Sequence, residues 1–479
     1  MHSIARPSTH DRSPGTRRSW AVLILLCVAQ FMVVLDMTVA NVALPAIDAD
    51  LGFAPGDLQW VVSAYLLFTG GLLLLGGRAA DLLGHRRTFL AGLLVFTGAS
   101  LASGLASSPS ALIAARGVQG LGAALLTPGA LAIITRTYTG AQRTVALSTW
   151  GALASAGAGA GVVLGGMLTT WLSWEWVFLI NVPIGAVAAI LALHIVPSTP
   201  AAAGRRRLDV PGALAMVAGL VVLVYAVEGT AEHGWGSART LVLLVLAGGL
   251  LATFTPVERA SAHPLVPPMI WRVRSLTAAA TVMLGATGIL VGAFFLNSLY
   301  LQGVLGASAL ETGFAFVPLV LAIGIAAHLA PHLLGHAGAR TVAVVGLAGT
   351  AVGALLLSLA PDQASYAADL LPGFVVLGLG IGLAFPAAQV SAMNDVVPDQ
   401  AGLASGMMST AHEIGAALGV AVLSAVATAG AGALTGSELA SGYGDGFLVA
   451  AIAAAALAAL GLLAVPAIRP AAGMRPTPH

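Results

Sequence analysis

Long apolar segments recur from one end of this chain to the other. Fourteen of them approach or exceed the length that spans a bilayer as a helix, about 20 residues. They lie near residues 20–45, 58–78, 86–106, 109–135, 143–170, 175–196, 209–229, 239–256, 275–301, 310–331, 341–360, 368–392, 402–429 and 446–466. A backbone in hydrocarbon must satisfy its own hydrogen bonds, so segments of this kind fold as helices. The sequence therefore predicts an all-α polytopic membrane protein with fourteen spans.

The composition excludes a soluble globular protein. Of the 479 residues, 58% are hydrophobic and only 8% are charged, whereas a soluble domain carries about 25% charged residues. The first apolar segment is longer than the ~7–15-residue core of a secretory signal, and similar segments follow it. We therefore interpret it as an uncleaved first span after a tail at residues 1–19.

The arginines predict the orientation. With the N-terminus placed in the cytoplasm, Arg239 alone falls on the outer side and Arg116 falls within a span, while the other eighteen arginines lie in cytoplasmic segments. Positive residues concentrate in cytoplasmic loops of membrane proteins. We therefore expect a multi-pass protein of the cell membrane with both termini in the cytoplasm.

The two halves of the chain resemble each other. The segment "GLGAALLTP" at 120–128 and the segment "GLGIGLAFP" at 378–386 share Gly, Leu, Gly and Pro at the same spacing. Repeated halves are typical of secondary transporters, whose substrate sites lie between them. We predict six-helix bundles at 20–196 and 275–467, a linker at 197–274 with two additional spans, and a second tail at 468–479.

A short loop between the second and third spans reads "GGRAADLLGHRR" at 76–87. A simple anchoring loop accounts for the arginines but not for an acid flanked by two glycines. The loop resembles the signature loop of the major facilitator superfamily, although Leu82 and His85 replace basic residues of that motif. The resemblance implies a cytoplasmic gating motif, formed by Gly77, Asp81, Gly84, Arg86 and Arg87.

Two further motifs follow in the order expected for that superfamily. The fourth span carries Arg116 and Gln119 in "RGVQG", similar to a superfamily motif whose arginine assists proton transfer. The fifth span resembles the antiporter motif of exporters, although Val162 replaces its proline. Its matching positions are Gly157, Gly161, Gly165 and Gly166.

Four other stretches narrow the resemblance to one branch of the superfamily. They read "LDMTVANVALPAI", "LQWVVSAYLL", "WEWVFLINVPIG" and "LYLQGVLGASALETGFAFVP". These stretches are similar to the fourteen-span drug:proton antiporters. The resemblance implies the major facilitator fold and export of lipophilic or cationic drugs or antibiotics by alternating access, in exchange for protons.

The candidates for proton coupling are two carboxylates within spans, Asp36 and Glu413, together with Arg116. A charged residue at the centre of a membrane costs about 2.5–3.5 kcal/mol, so its presence indicates a function. The alternatives are that Asp36 only fixes helix packing, that Glu413 reaches water, and that Arg116 extends toward an interface. Carboxylates near span ends are expected to be solvated, namely Glu228, Glu232, Glu258 and Glu311.

Substrate contacts are expected from aromatic, amide and methionine side chains near the cavity, although core packing is the simpler explanation for each. The candidates are Asn41, Tyr65, Phe294, Asn297, Tyr300, Gln302, Gln389 and Met407. Three histidines recur every fourth residue from His328 to His336, but we expect Pro331 to interrupt their helix. We therefore predict no metal site and no cofactor.

Other functions remain open from sequence alone. The same fold serves for export or import of an endogenous metabolite, lipid or peptide. An enzyme is disfavoured because there is no nucleotide-binding loop and no nucleophile with a base, and a sensor because the loops are short. The expected partners are a small-molecule substrate, protons and the lipid bilayer, with no nucleic acid and a monomeric state.

Overall fold

The computed structural model describes residues 16–54, 56–197, 209–260, 265–397, 400–429 and 436–464. Helices dominate the first half of the chain. They are α1 (Thr16–Leu51), α2 (Trp60–Leu83), α3 (His85–Gly104), α4 (Pro109–Thr137), α5 (Gly140–Trp171), the short α6 (Trp176–Leu179) and α7 (Asn181–Ile195). Seven of the arginines counted above lie outside the described ranges, as does Asp399; these arginines are Arg6, Arg12, Arg205, Arg206, Arg207, Arg469 and Arg475.

Two long helices and a short one connect the halves: α8 (Val210–Glu228), α9 (Thr230–His233) and α10 (Ala238–Ala260). The second half repeats the helical pattern. Its helices are α11 (Arg274–Leu299), α12 (Ala309–Ala315), α13 (Val317–Ser358), α14 (Leu371–Met393), α15 (Ala401–Ala427) and α16 (Gly436–Ala464). The all-α membrane architecture predicted from the sequence is confirmed.

Thirteen helical stretches within the described residues are long and apolar enough to cross a membrane, and one of them, Ala309–Ser358, has 50 residues. At about 1.5 Å per residue it is roughly 75 Å long, more than twice a ~30 Å hydrocarbon core. Gly338 breaks it with φ 78° and ψ 159°. The stretch therefore makes two crossings of the membrane, so the described residues make fourteen crossings.

The turn at Gly338 matches a turn in the first half. Gly84, between α2 and α3, has φ 93° and ψ 137°. Both φ values lie in the range that strains residues other than glycine. A pair of arginines follows the Gly84 turn, and a single arginine follows the Gly338 turn. We call the side of the molecule that carries these turns the Gly84 side, and the opposite side, with the 51–59 connection, the Gly56 side.

Small residues bring the helices into close contact. Gly415 and Gly419 of α15 pack directly on the backbone of α11 at Leu284 and Gly288. Membrane helices associate by van der Waals packing, for which glycine permits the nearest backbone approach. In the linker, Gly219 of α8 packs against Leu251 of α10. The high glycine content is thus used to pair helices.

The two halves contact each other on the Gly56 side. Gly166 of α5 lies against the backbone of Ala309 and Leu310, and Gly313 of α12 lies against the backbone of Val162. A side chain at either glycine would occupy space already filled by the partner backbone. These contacts close the molecule between its halves on this side.

Two expectations from the sequence, on Pro331 and on Glu258, are wrong. Pro331 does not interrupt its helix, because α13 stays helical through it until Gly338; the preceding turn tolerates the missing hydrogen bond. Glu258 is not solvated. Its exposed fraction is 2%, and its Oε2 accepts a 2.9 Å hydrogen bond from the Val266 backbone N–H.

The other carboxylates near span ends differ among themselves. Glu228 is half-buried and accepts a hydrogen bond from the Trp60 indole N–H. Glu311 is exposed and forms a capping box with Ser308, as expected for a boundary residue. The side chain of Glu232 lies outside the described part of the structure.

Replacing Gly419 with Ala is expected to destabilise the protein, because the added methyl group would meet the Gly288 backbone. Overpacking of this kind costs about 1–3 kcal/mol. Thermal unfolding of the detergent-purified protein measures the effect. Gly248→Ala is the matched control, since no atom lies within 4 Å of a Cβ there. Equal melting temperatures for the two variants would contradict the packing described here.

Candidate functional site

A buried ion pair joins α1 and α4. The Arg116 guanidinium donates from Nη1 to Asp36 Oδ2 at 2.5 Å, and the side chains are 1% and 0% exposed. The second oxygen, Asp36 Oδ1, accepts hydrogen bonds from Gln119 Nε2 at 2.7 Å and from Asn181 Nδ2 at 2.8 Å. Both carboxylate oxygens are therefore occupied by donors.

The arginine is held from several directions. Its Nε donates to the Val61 carbonyl at 2.8 Å, and Nη1 also donates to Gln119 Oε1 at 2.7 Å. The guanidinium carbon lies 4.5 Å from the centroid of the Tyr65 ring and 5.3 Å from that of Phe178. Aromatic faces attract a cation. Arg116 therefore ends inside the protein, and the alternative that it extends to an interface is excluded.

Local sequence explains why these groups meet. Arg116 and Gln119 are three residues apart on α4, a spacing that places side chains on the same helix face. Gly120 permits close approach, since its backbone packs directly on Tyr65 of α2. Ser100 of α3 completes the network by accepting a 2.7 Å hydrogen bond from Gln119 Nε2. We call Asp36, Ser100, Arg116, Gln119 and Asn181 the buried polar cluster.

The glycine motif of α5 packs against the part of α1 that contains Asp36. A Cβ at Gly157 would lie 3.2 Å from the Phe31 carbonyl oxygen, and one at Gly165 would lie 3.0 Å from Val39 Cα. Gly161, between them, faces Thr38 and the Leu35 carbonyl, with the oxygen 3.2 Å from such a Cβ. Gly166 instead faces the second half of the chain. Three of the four predicted positions therefore bring α5 against α1.

Glu413 lies on α15, in the second half. Gly70 of α2 packs on its Cβ, and its Oε2 atom is buried with no hydrogen-bond partner among the described residues. The neighbouring His412 is hydrogen-bonded through Nδ1 to Thr287 Oγ1 at 3.0 Å. Within the described residues, the single ion pair is Asp36–Arg116. Glu413 thus has no cationic partner there.

Tyr65 connects the two acidic positions. It is 2% exposed and interacts electrostatically with Asp36, Arg116 and Glu413. It lies on α2, which packs against both α4 and α15. The three predicted coupling residues therefore lie in one region, each within electrostatic range of Tyr65.

The predicted gating motif surrounds the turn at Gly84. Arg86 donates a hydrogen bond to the Leu193 carbonyl at the end of α7, while Asp81 and Arg87 are exposed. A Cβ at Gly77 would lie 3.9 Å from Pro128, an ordinary contact. Asp81 makes no ion pair within the described residues.

The predicted substrate residues divide into four groups. Asn41 and Asn297 donate from Nδ2 to carbonyls of their own helices. Gln302 bonds across to α1, and the Tyr300 hydroxyl bonds to the Pro361 carbonyl. The aromatic and methionine candidates are buried, namely Tyr65, Phe294 and Met407. Gln389 is exposed. Their part in substrate binding stays a prediction.

Ser100 and Asn181 were not among the residues predicted for this site. The available signal was an amide at the start of a span in "LINVPIG", although nothing in one sequence specifies its partner across a bundle.

No group of three or more potential metal ligands occurs in the described ranges. The rings of His332 and His336 lie 4.4 Å apart on an exposed face.

Comparison with known proteins gives consistent matches over most of the chain. A family model described as Major Facilitator Superfamily matches residues 26–420. Cephamycin export protein CmcT of Amycolatopsis lactamdurans is 42% identical over 468 residues, which cover 96% of this chain and 95% of that protein. Puromycin resistance protein pur8 of Streptomyces alboniger is 41% identical over 435 residues, covering 89% and 85%.

A solved structure supports the fold independently. A mutant of the nucleoside transporter NupG superposes with a TM-score of 0.65, covering 94% of this chain and 100% of that one, at 14% sequence identity. At that identity the likeness concerns the fold alone.

Removal of Arg116 is expected to destabilise the protein through the charge left on Asp36. Breaking a buried ion pair by losing one partner costs about 3–5 kcal/mol, whereas removing both charges costs less. We expect Arg116→Met to lower the unfolding temperature strongly and Asp36→Asn with Arg116→Met to recover part of the loss. Thermal unfolding in detergent checks this, and purely additive losses would contradict the pairing.

Proposed function

The chain belongs to the major facilitator superfamily and is a multi-span membrane transporter, not an enzyme; from that premise we propose that it exports lipophilic or cationic antibiotics in exchange for protons. The names of its relatives support the direction and the substrate class. Besides the cephamycin exporter, a tetracenomycin C resistance and export protein of Streptomyces glaucescens is 32% identical over 415 residues.

One observation carries the coupling proposal: an unpaired carboxyl group lies in the same region as a closed ion pair. Asp36 is fully occupied by Arg116, Gln119 and Asn181, whereas Glu413 Oε2 has no partner in the described residues. A carboxyl group is able to take either a proton or a cationic substrate, and burial makes these alternatives compete. We therefore assign that exchange to Glu413.

In this mechanism the transporter alternates between two states. The positive-inside pattern supports a cytoplasmic Gly84 side. The halves are in contact on the Gly56 side, and in the proposed cycle the Gly84 side opens to admit substrate from the cytoplasm. Substrate binding there displaces the proton from Glu413, and a proton from outside displaces the substrate after the halves reorient.

Arg116 and Asp36 act together in this proposal. A state in which Asp36 is protonated releases Arg116 to the other acceptors around it, Gln119 Oε1 and the Val61 carbonyl. Protonation at Asp36 would therefore change the helix contacts of α1 with α4. Both carboxyl groups are assigned to coupling, with Glu413 in direct contact with substrate.

The second candidate is transport of an endogenous metabolite, lipid or peptide by the same cycle. The polar lining near Glu413, including His412 and Thr287, suits substrates with hydrogen-bonding groups as well as cations. Measuring substrate accumulation in cells with and without an uncoupler separates export from import.

Glu413→Gln is expected to abolish proton-driven transport and to spare exchange. In inside-out proteoliposomes with an acidic lumen, accumulation of a fluorescent lipophilic cation should fall to the level of protein-free vesicles. Exchange of labelled for unlabelled substrate, with no pH gradient, should continue. Glu311→Gln is the matched control, because Glu311 is an exposed capping residue. Gradient-driven accumulation at the wild-type rate would remove Glu413 from the mechanism.

Asp36→Asn is expected to insert and fold with a lowered unfolding temperature, because Arg116 loses its ionic partner, and to lose efflux driven by an imposed pH gradient in inverted vesicles. Asparagine retains hydrogen-bonding atoms for Gln119 and Asn181 while it removes the group that titrates. Size-exclusion chromatography checks folding and substrate uptake checks coupling. Unchanged gradient-driven transport would show that Asp36 serves packing alone.

A further inference from the structure

The first helix contains a proline in its interior. Pro45 lies within α1, which continues to Leu51. Because proline has no backbone N–H, the carbonyl four residues earlier lacks its usual helical donor. That carbonyl belongs to Asn41, whose own side chain donates elsewhere, to the Met37 carbonyl at 2.9 Å. The Asn41 carbonyl therefore needs a donor from another helix.

The second half of the chain supplies that donor. Ser298 of α11, which is fully buried, donates from Oγ to the Asn41 carbonyl at 2.7 Å. Gln302 donates from Nε2 to the adjacent Val42 carbonyl at 3.0 Å and also to Ser298 Oγ at 3.1 Å. We call these four residues, Asn41, Val42, Ser298 and Gln302, the Pro45 clasp.

The helix end of α11 positions Gln302. Residues Tyr300–Val304 form a π-helical turn that extends α11. A π-turn widens the helix locally and often occurs at functional sites. The Tyr300 hydroxyl anchors this turn to the Pro361 carbonyl. The clasp thus joins the part of α1 where a carbonyl lacks its helical donor to a turn of the second half that Tyr300 anchors.

The clasp crosses the surface along which the two halves must separate. It lies on the Gly56 side, with the contacts of Gly166 to Ala309 and of Gly313 to Val162. We propose that the Pro45 clasp is a latch that holds the Gly56 side closed and sets the balance between the two states of the transport cycle. This inference rests on the alternating-access mechanism proposed above.

The chemistry of the latch favours an all-or-none release. While the halves are joined, the Asn41 carbonyl is buried and Ser298 satisfies it, so a partial opening leaves a polar group without partner or water. Full opening admits water, which replaces the serine hydroxyl. Ser298 Oγ accepts from Gln302 Nε2 and donates to the Asn41 carbonyl, and the two bonds of such a chain strengthen each other. Intermediate states are thereby disfavoured.

Ser298→Ala tests the proposal directly. In a Cys27→Ala background, spin labels at Leu172→Cys and Leu359→Cys report the separation of the halves on the Gly56 side, since these positions are 58% and 71% exposed. Loss of the hydrogen bond is expected to raise the ratio of long to short distances about three- to tenfold, from the net strength of one such bond. An unchanged distance distribution would overturn the proposal.

Ser391→Ala is the matched control. Ser391 is a buried serine whose Oγ donates to the Ala387 carbonyl of its own helix at 2.8 Å, so it makes no bond between the halves. Its distance distribution should equal that of the wild type. A shift as large as that of Ser298→Ala would show a general effect of losing a buried hydroxyl, and the clasp would be rejected.

Two further variants extend the test, and the first of them keeps it decisive if Ser298→Ala does not fold. Gln302→Met conserves volume, removes the amide and is expected to shift the ratio in the same direction. Pro45→Ala restores an N–H for the Asn41 carbonyl, so adding Ser298→Ala to it should change the ratio less than in the wild type. Equal effects in both backgrounds would refute the role assigned to Pro45.

The distances also separate this proposal from the transport mechanism. If the wild-type distribution stays single in every condition, with substrate, with acid and without either, then alternating access itself fails. If the wild type shows two distances but the clasp variants do not alter their ratio, the clasp alone fails.

Discussion

The Asp36–Arg116 pair is the interaction on which the first half of the molecule depends. A charge in an apolar bundle requires a partner of opposite sign and further hydrogen bonds. Here the bonded groups come from five helices, α1, α2, α3, α4 and α7. Meeting that requirement fixes how these helices are rotated about their axes. The glycines of α4 and α5 then allow the backbones to approach closely enough for the bonds to form.

The second half has no charged residue at the corresponding position. Phe374 of α14, in the repeat position of Arg116, stacks on Phe316 with ring centroids 5.8 Å apart. Phe294 packs on the same ring at 4.7 Å. Aromatic packing stabilises that half through dispersion and burial, which leaves Glu413 as a carboxyl group free of a nearby arginine in the described residues. At this repeat position the first half therefore carries a buried ion pair and the second half carries aromatic packing.

Much of this architecture was predictable from the sequence because hydrocarbon restricts the choice so strongly. The spans, their number and the family followed from apolar length, the repeat at 120 and 378, and ordered motifs. Asp36, Arg116 and Glu413 were identifiable as charges in apolar surroundings, and the structure places the first two in contact.

Other features were not predictable, since they depend on which helices become neighbours. Asn181 lies 145 residues from Asp36, and no periodicity connects them. The burial of Glu258 follows from an acceptor role toward Val266 in the next connection. Pro331 misled because a proline predicts a break in isolation, whereas a membrane helix absorbs it. Ser298 and Pro45 acquire meaning only when α11 lies beside α1.

The position of the buried polar cluster also bears on the speed of the cycle. All five of its members belong to helices of the first half, so rotation of that half against the other does not itself pull Asp36 away from Arg116. The pair rearranges only when Asp36 is protonated, which removes one of the two charges, so the barrier contains no term for separating two opposite charges in hydrocarbon. What remains is the breaking of neutral hydrogen bonds and of glycine contacts, which are weak enough individually to be crossed by thermal motion.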